Sequence, residues 1–200
     1  MRLSFRSIIL LLPIALGITA CGDPAFGRTD PQIAHDTVSI QAPSDQQPQA
    51  SSALDVTAQI GLIGGARDPE RLANAPAPGE LQGRWDLVVR RQDGQLVFLP
   101  AGAVLGTRSR AGISQPLAGQ TFEELREVPA GTVFVTDSAV AVQPGQLYVV
   151  RSREFRGGFG NCLQYAKLRP LQADAATGSV QVEVATNEVC FDTRLVEPGS

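Results

Sequence analysis

Two cysteines facing each other across a turn constrain this chain more than any other feature. Residues 163–169 and 179–185 are apolar-rich runs that flank Asp174-Ala175-Ala176-Thr177-Gly178, a composition suited to reversing a chain. A turn centred near Ala176 sets Cys162 opposite Cys190. Side chains alternate along a strand, so Val180, Val182 and Val184 share a face with Cys190, and Ala166 and Leu168 share one with Cys162. Gln164 is the one discordant residue on that face. The spacing predicts an antiparallel hairpin whose open end is closed by a disulfide, worth on the order of 3 to 4 kcal/mol in the chain-entropy model. A reactive thiol or half a metal site would need partners, and there is no CxxC; the sole histidine, His35, lies far away in a polar stretch.

The middle of the chain follows the same β rhythm. Trp85, Leu87 and Val89 alternate with Asp86, Val88 and Arg90, and Gln92-Asp93-Gly94-Gln95 then turns the chain into Leu96-Val97-Phe98-Leu99. Asp-Gly between two such runs predicts a hairpin. Further strands are expected at 54–63, 132–136, 140–142 and 147–153, the last two joined through Gln143-Pro144-Gly145-Gln146 as a second hairpin. One short helix is expected near 121–127, where Thr121 and Glu124 form a capping box and Pro129 ends it. Acids are favoured in a first helical turn, so Glu123, Glu124 and Glu127 read as capping residues rather than as a metal or acid/base site. The fold class that follows is all-β: a two-sheet sandwich or open barrel of antiparallel hairpins with one short helix, in a single domain over 54–198.

The N-terminus concerns location. Arg2 and Arg6 precede an apolar run at 8–18 that ends in Ile18-Thr19-Ala20-Cys21-Gly22. That pattern resembles the bacterial lipoprotein signal, in which residues 1–20 are cleaved off and Cys21 becomes an acylated, palmitate-bearing N-terminus. A run of about eleven residues interrupted by Pro13 and Gly17 is too short to span ~30 Å of hydrocarbon, which needs roughly 20. The resemblance implies a cell-envelope protein. With Gly22 rather than Asp after the cysteine, it implies the outer membrane if the organism is Gram-negative, facing the periplasm or the exterior. Such compartments are oxidising, which suits pairing of Cys162 with Cys190. Residues 21–53 are rich in Pro, Gln, Ser, Asp and Ala and read as a lipidated cysteine followed by a disordered tether of ~30 Å reach, with His35 solvated in it.

The ordered part resembles the HmuY-like family of bacterial haemophore lipoproteins. The matching pieces are Trp85-Asp86-Leu87, Phe122 through Val128-Pro129-Ala130, Asp137, Leu147-Tyr148-Val149-Val150-Arg151, and Tyr165-Ala166-Lys167-Leu168 before a glycine turn and a closing strand. The resemblance implies an all-β, outer-membrane-tethered domain, and in that family haem is held by a pair of axial ligands, usually His, sometimes with Met. The β domain has neither in this reading: Met1 leaves with the signal and His35 is in the tether. Tyr148 and Tyr165, the two tyrosines, are the remaining ligand candidates, and no cofactor is expected.

Chemistry is otherwise sparse. Without a histidine in the folded part, Ser-His-Asp, Cys-His and HExxH sites are excluded. A Ser-Lys pair would need Lys167, which reads as an exposed or stem-packed strand residue, and spacing singles out no pair of carboxylates. No catalytic or metal residue is assigned, and the protein is not expected to be an enzyme. The loop Arg156-Gly157-Gly158-Phe159-Gly160-Asn161 lacks the Gly-Lys-Ser/Thr ending of a phosphate loop and reads as a hairpin connection. Arg151, Arg153, Arg156 and Phe159 gather cationic and aromatic character there and form the candidate binding surface. The formal charge of −3 becomes more negative once Arg2 and Arg6 leave, and there is no basic tract, so nucleic acid is not an expected partner. The expectation is a cell-envelope lipoprotein presenting a non-catalytic binding or structural β-domain. Its partners would be the membrane, through the lipid anchor, and a protein, glycan or small apolar ligand. The alternative is a haemophore-like carrier of a small apolar ligand, and the third reading is a carboxylate-based envelope hydrolase.

Overall fold

A computed structural model describes residues 30–46, 52–57, 85–106, 108–157 and 160–199. The C-terminal hairpin forms as its sequence demands. In chain-order numbering, strand β10 (Tyr165–Asp174) pairs antiparallel with β11 (Ser179–Asn187), from Tyr165 opposite Asn187 to Pro170 opposite Val182. The same register carried outward brings Cys162 to Cys190, and the two are disulfide-bonded with Cα atoms 5.2 Å apart. The register shifts between Pro170 and Gln172. Proline has no N–H to give the ladder, so a bulge there is expected; it lies on the turn side and leaves the cysteine register untouched.

The Asp-Gly hairpin also forms. Strand β3 (Leu87–Gln92) returns as β4 (Gln95–Pro100) through Asp93 at φ 51° and Gly94 at φ 77°. Two consecutive positive φ values mark the turn whose twist matches paired strands.

Among the described residues the strands assemble into three antiparallel sheets. The five-stranded sheet runs β1 (Ile33–Gln41), β11, β10, β7 (Tyr148–Arg151), β5 (Gly112–Ile113). The four-stranded sheet runs β2 (Ala53–Leu54), β3, β4, β6 (Val140–Ala141). The third is the small hairpin β8 (Phe155–Gly157) with β9 (Gly160–Cys162). No closed barrel forms among the described residues, and the arrangement fits the sandwich alternative. The main core lies between the two large sheets, where Val38, Ile40, Val150, Leu168, Val182 and Val184 of one meet Leu54, Leu87, Val89, Leu96, Phe98 and Val140 of the other. Both outer faces carry a second apolar layer. Phe122, Leu125 and Leu195 cover Val149 and Ala185 of the five-stranded sheet, while Trp85, Ala101 and Ala111 pack with Val88 on the four-stranded one.

Five expectations need correction. Residues 33–41, read as tether, form β1, paired with β11 along their whole length. Averaged composition hid a period of two in which only Val38 and Ile40 need face the core. The helix is α1 (Ala101–Leu105), stopped by Gly106 at φ 62°, not a segment at 121–127. The Thr121 capping box is present, with the Glu124 N–H donating to Thr121 Oγ1 at 3.2 Å and the Thr121 N–H to Glu124 Oε2 at 3.0 Å. It closes a single turn, because Phe122 and Leu125 are drawn onto the sheet.

The arms of the 143–146 turn do not form a hairpin: β6 pairs with β4 and β7 with β10 and β5, so the chain changes sheets. Of the strand expected at 132–136, Val135 makes an isolated bridge to Ile113. Of the one at 54–63, β2 contains Leu54, 55–57 are described without strand, and the remainder lies outside the described residues.

Candidate functional site

The most concentrated polar chemistry lies where the two large sheets meet, at the end where β3 begins and β7 finishes. Asp86 immediately precedes β3, and its side chain is fully buried. Its Oδ2 accepts from the Val56 N–H at 2.8 Å; its Oδ1 accepts from the Arg153 N–H at 2.6 Å and from Arg153 Nη1 at 3.2 Å. The same Nη1 also donates to Asp55 Oδ1 at 2.9 Å, and Nη2 donates to Asp55 Oδ2 at 3.1 Å, a two-pronged pairing. Thr57 closes the group, donating from its hydroxyl to Asp55 Oδ1 at 2.6 Å. Two carboxylates thus share one guanidinium. Burial pushes the Asp86 carboxyl up from 3.8 to about 7; Arg153 pulls it back and the negative Asp55 adds to the rise. The Arg153 guanidinium, which burial alone would make more acidic, is raised by Asp86 and Asp55.

The predicted binding surface comes apart in this arrangement. Arg153 is internal, consumed by Asp55 and Asp86, and not a surface cation. Arg151 lies on the outer face of the five-stranded sheet, where its Nε donates to the Arg110 carbonyl at 2.8 Å and its guanidinium sits 4.7 Å from the Phe134 ring centroid. Arg156 is exposed on β8, and Phe159 lies outside the described residues, as does Cys21.

The two tyrosines do not converge. Tyr148 is fully buried in the main core, edge-on to Phe98 with ring centroids 5.8 Å apart. Its hydroxyl donates to the Ala141 carbonyl at 2.8 Å and accepts from the Gln143 N–H at 3.1 Å, holding the crossover between sheets. Tyr165 is half-buried against the opposite face of the same sheet, 6.1 Å from Phe134. The residues present do not fit axial ligation of haem by this pair.

His35 is in the folded domain, exposed on β1, with its ring 6.5 Å from that of Phe122. Lys167 is buried rather than exposed: its ammonium donates to the Phe122 carbonyl at 2.6 Å and to Leu125 at 3.3 Å, and lies 4.6 Å from the Phe122 ring centroid. Burial lowers its pKa, and Glu123 and Glu183 offset part of that. The ammonium thereby closes the carbonyls of the Thr121 turn and ties it to β10. Among the described residues, no group of three or more His, Cys, Asp or Glu is placed to hold a metal ion, and no helix is long and apolar enough to cross a membrane.

Sequence reasoning missed Asp55, Thr57 and Asp86. Asp86 sits 67 positions from Arg153, and Asp55 98 positions, separations beyond any local pattern. The available hint was an acidic residue inside an otherwise apolar strand opening. Comparison of the chain with models of protein families, with curated proteins and with solved structures finds no match.

Proposed function

We propose that this chain is a cell-envelope lipoprotein, anchored through Cys21, that presents a non-catalytic binding or structural β-domain outside the cytoplasm. The observation that carries the reading is Ile18-Thr19-Ala20-Cys21 at the end of a short apolar run behind Arg2 and Arg6. The Cys162–Cys190 bond agrees with it, since such bonds persist in oxidising compartments. The non-catalytic part draws support from where the polar groups go. Asp86 and Arg153 lock the two sheets together, Lys167 ties down a surface turn and Tyr148 secures a crossover, so each is engaged in holding the fold.

The test is growth with an alkyne-bearing fatty acid followed by mass analysis of the chain. The wild type should carry label at Cys21 and sediment with membranes, whereas Cys21→Ser should do neither. An unlabelled, freely soluble wild type would overturn the anchor. Turnover of an ester, peptide or glycoside that disappears in Asp86→Asn while the variant stays folded would overturn the non-catalytic part.

A further inference from the structure

We infer that the end of the sandwich at which β1 begins rests on the lipid surface, with Phe191 as its apolar contact. The inference builds on the anchor at Cys21 and concerns which way the domain faces. The chain runs from Cys21 to Asp30 in nine steps, which span at most about 30 Å when fully extended. Because 33–41 is a strand of the domain, the leash is far shorter than composition suggests, and the domain cannot stand a full diameter away from the lipid.

The leash also sets which end is near. Gln32 is fixed where its carbonyl accepts from the Glu188 N–H at 2.7 Å, and Ile33 pairs with Asn187 at the end of β11. Asn187 in turn faces Tyr165, and Tyr165 faces Arg151, so one row across the sheet marks this end.

Among the described residues, two of the three exposed large hydrophobics lie here. Phe191 follows the disulfide, donates its N–H to the Leu163 carbonyl at 2.9 Å and is 55% exposed. It holds φ at 60°, a left-handed conformation uncommon for a bulky residue. Val133, 79% exposed, adjoins Phe134, whose ring centroid lies 6.1 Å from that of Tyr165. The third, Leu171, sits beside the 175–178 turn at the opposite end.

Beside Phe191, Arg194 is paired with Asp192, and on the neighbouring hairpin Asn161 donates to Glu154 while Arg156 is exposed. The partner of the Phe191 ring is the boundary between headgroups and acyl chains of a phospholipid.

The experiment uses the full acylated chain in phosphatidylcholine vesicles whose acyl chains carry bromine near the headgroup. Phe191→Trp should show blue-shifted emission and roughly twofold quenching above the wild-type background, as expected for a ring entering the interface. Leu171→Trp should match the wild type. Equal quenching of the two variants, or none in either, on chains that float with the vesicles would overturn the orientation and leave the anchor standing. Chains that do not float and carry no acyl mass at Cys21 would overturn both.

Discussion

Asp86 is a fully buried carboxyl whose ionisation is coupled to folding. Its carboxyl is raised in the folded state to about 7 from 3.8, chiefly by burial. A group raised on folding contributes stability that is complete below its unfolded value and fades as pH rises through the folded one. Asp174 is lowered by the Thr177 hydroxyl. Asp192, which burial alone would raise, is lowered by Arg194, so both contribute above their unfolded value and lose that contribution in acid. The thermal midpoint should therefore peak near pH 4 to 5 and decline toward pH 8. In Asp86→Asn the decline between pH 4 and 7 should flatten, read by scanning calorimetry; an unchanged slope would mean that Asp86 does not titrate there. Tyr148→Phe leaves the Ala141 carbonyl and the Gln143 N–H without their partner, and should cost about 1 to 2 kcal/mol by urea denaturation. Of the buried cluster only Arg153 was singled out beforehand, and in another role. Sequence patterning assigned Arg153 to a surface cluster with Arg151 because the two are near in the chain, yet burial carries Arg153 inward and Arg151 outward.

At the scale of elements, the two hairpins and the disulfide were legible because each is set by local rules: a turn of known chemistry and a side-chain period of two. The glycines make that testable. A Cβ at Gly94 would meet nothing within 4 Å, so Gly94→Ala should cost only the positive-φ penalty of about 1 kcal/mol. At Gly178 the same Cβ would lie 2.7 Å from Arg91 Nη2, whose guanidinium holds the Ala175 and Ala176 carbonyls. Gly178→Ala should cost measurably more than Gly94→Ala, and equal costs by denaturant melts would rule out the Arg91 clamp. Replacing Cys162 and Cys190 together by serine should lower stability by about 3 to 4 kcal/mol for a separation of 28 residues, measured against the oxidised protein. The 143–146 turn and the Thr121 box misled for one reason. Turn and cap chemistry say that the chain reverses or starts a helical turn, but not what each arm then packs against.

Across the whole molecule, β1 decides where the domain begins. Val38 and Ile40 are buried in the main core, and each contributes roughly 1.5 to 3 kcal/mol on burial. Removing their strand would also bare the long edge of β11. A fragment starting at residue 54 should thus melt lower than one starting at residue 30 and aggregate on gel filtration; equal midpoints would make β1 dispensable. By itself, the sequence determined the all-β class, both hairpin registers and the cysteine pairing, because periodicity, turn residues and parity act over a few positions. Tertiary structure alone decided that a polar-looking stretch completes a sheet, that β6 and β7 part company, and that Asp55, Asp86 and Arg153 meet. Those outcomes depend on which apolar faces and buried charges find each other across long separations, a competition settled only when the two sheets close on one core.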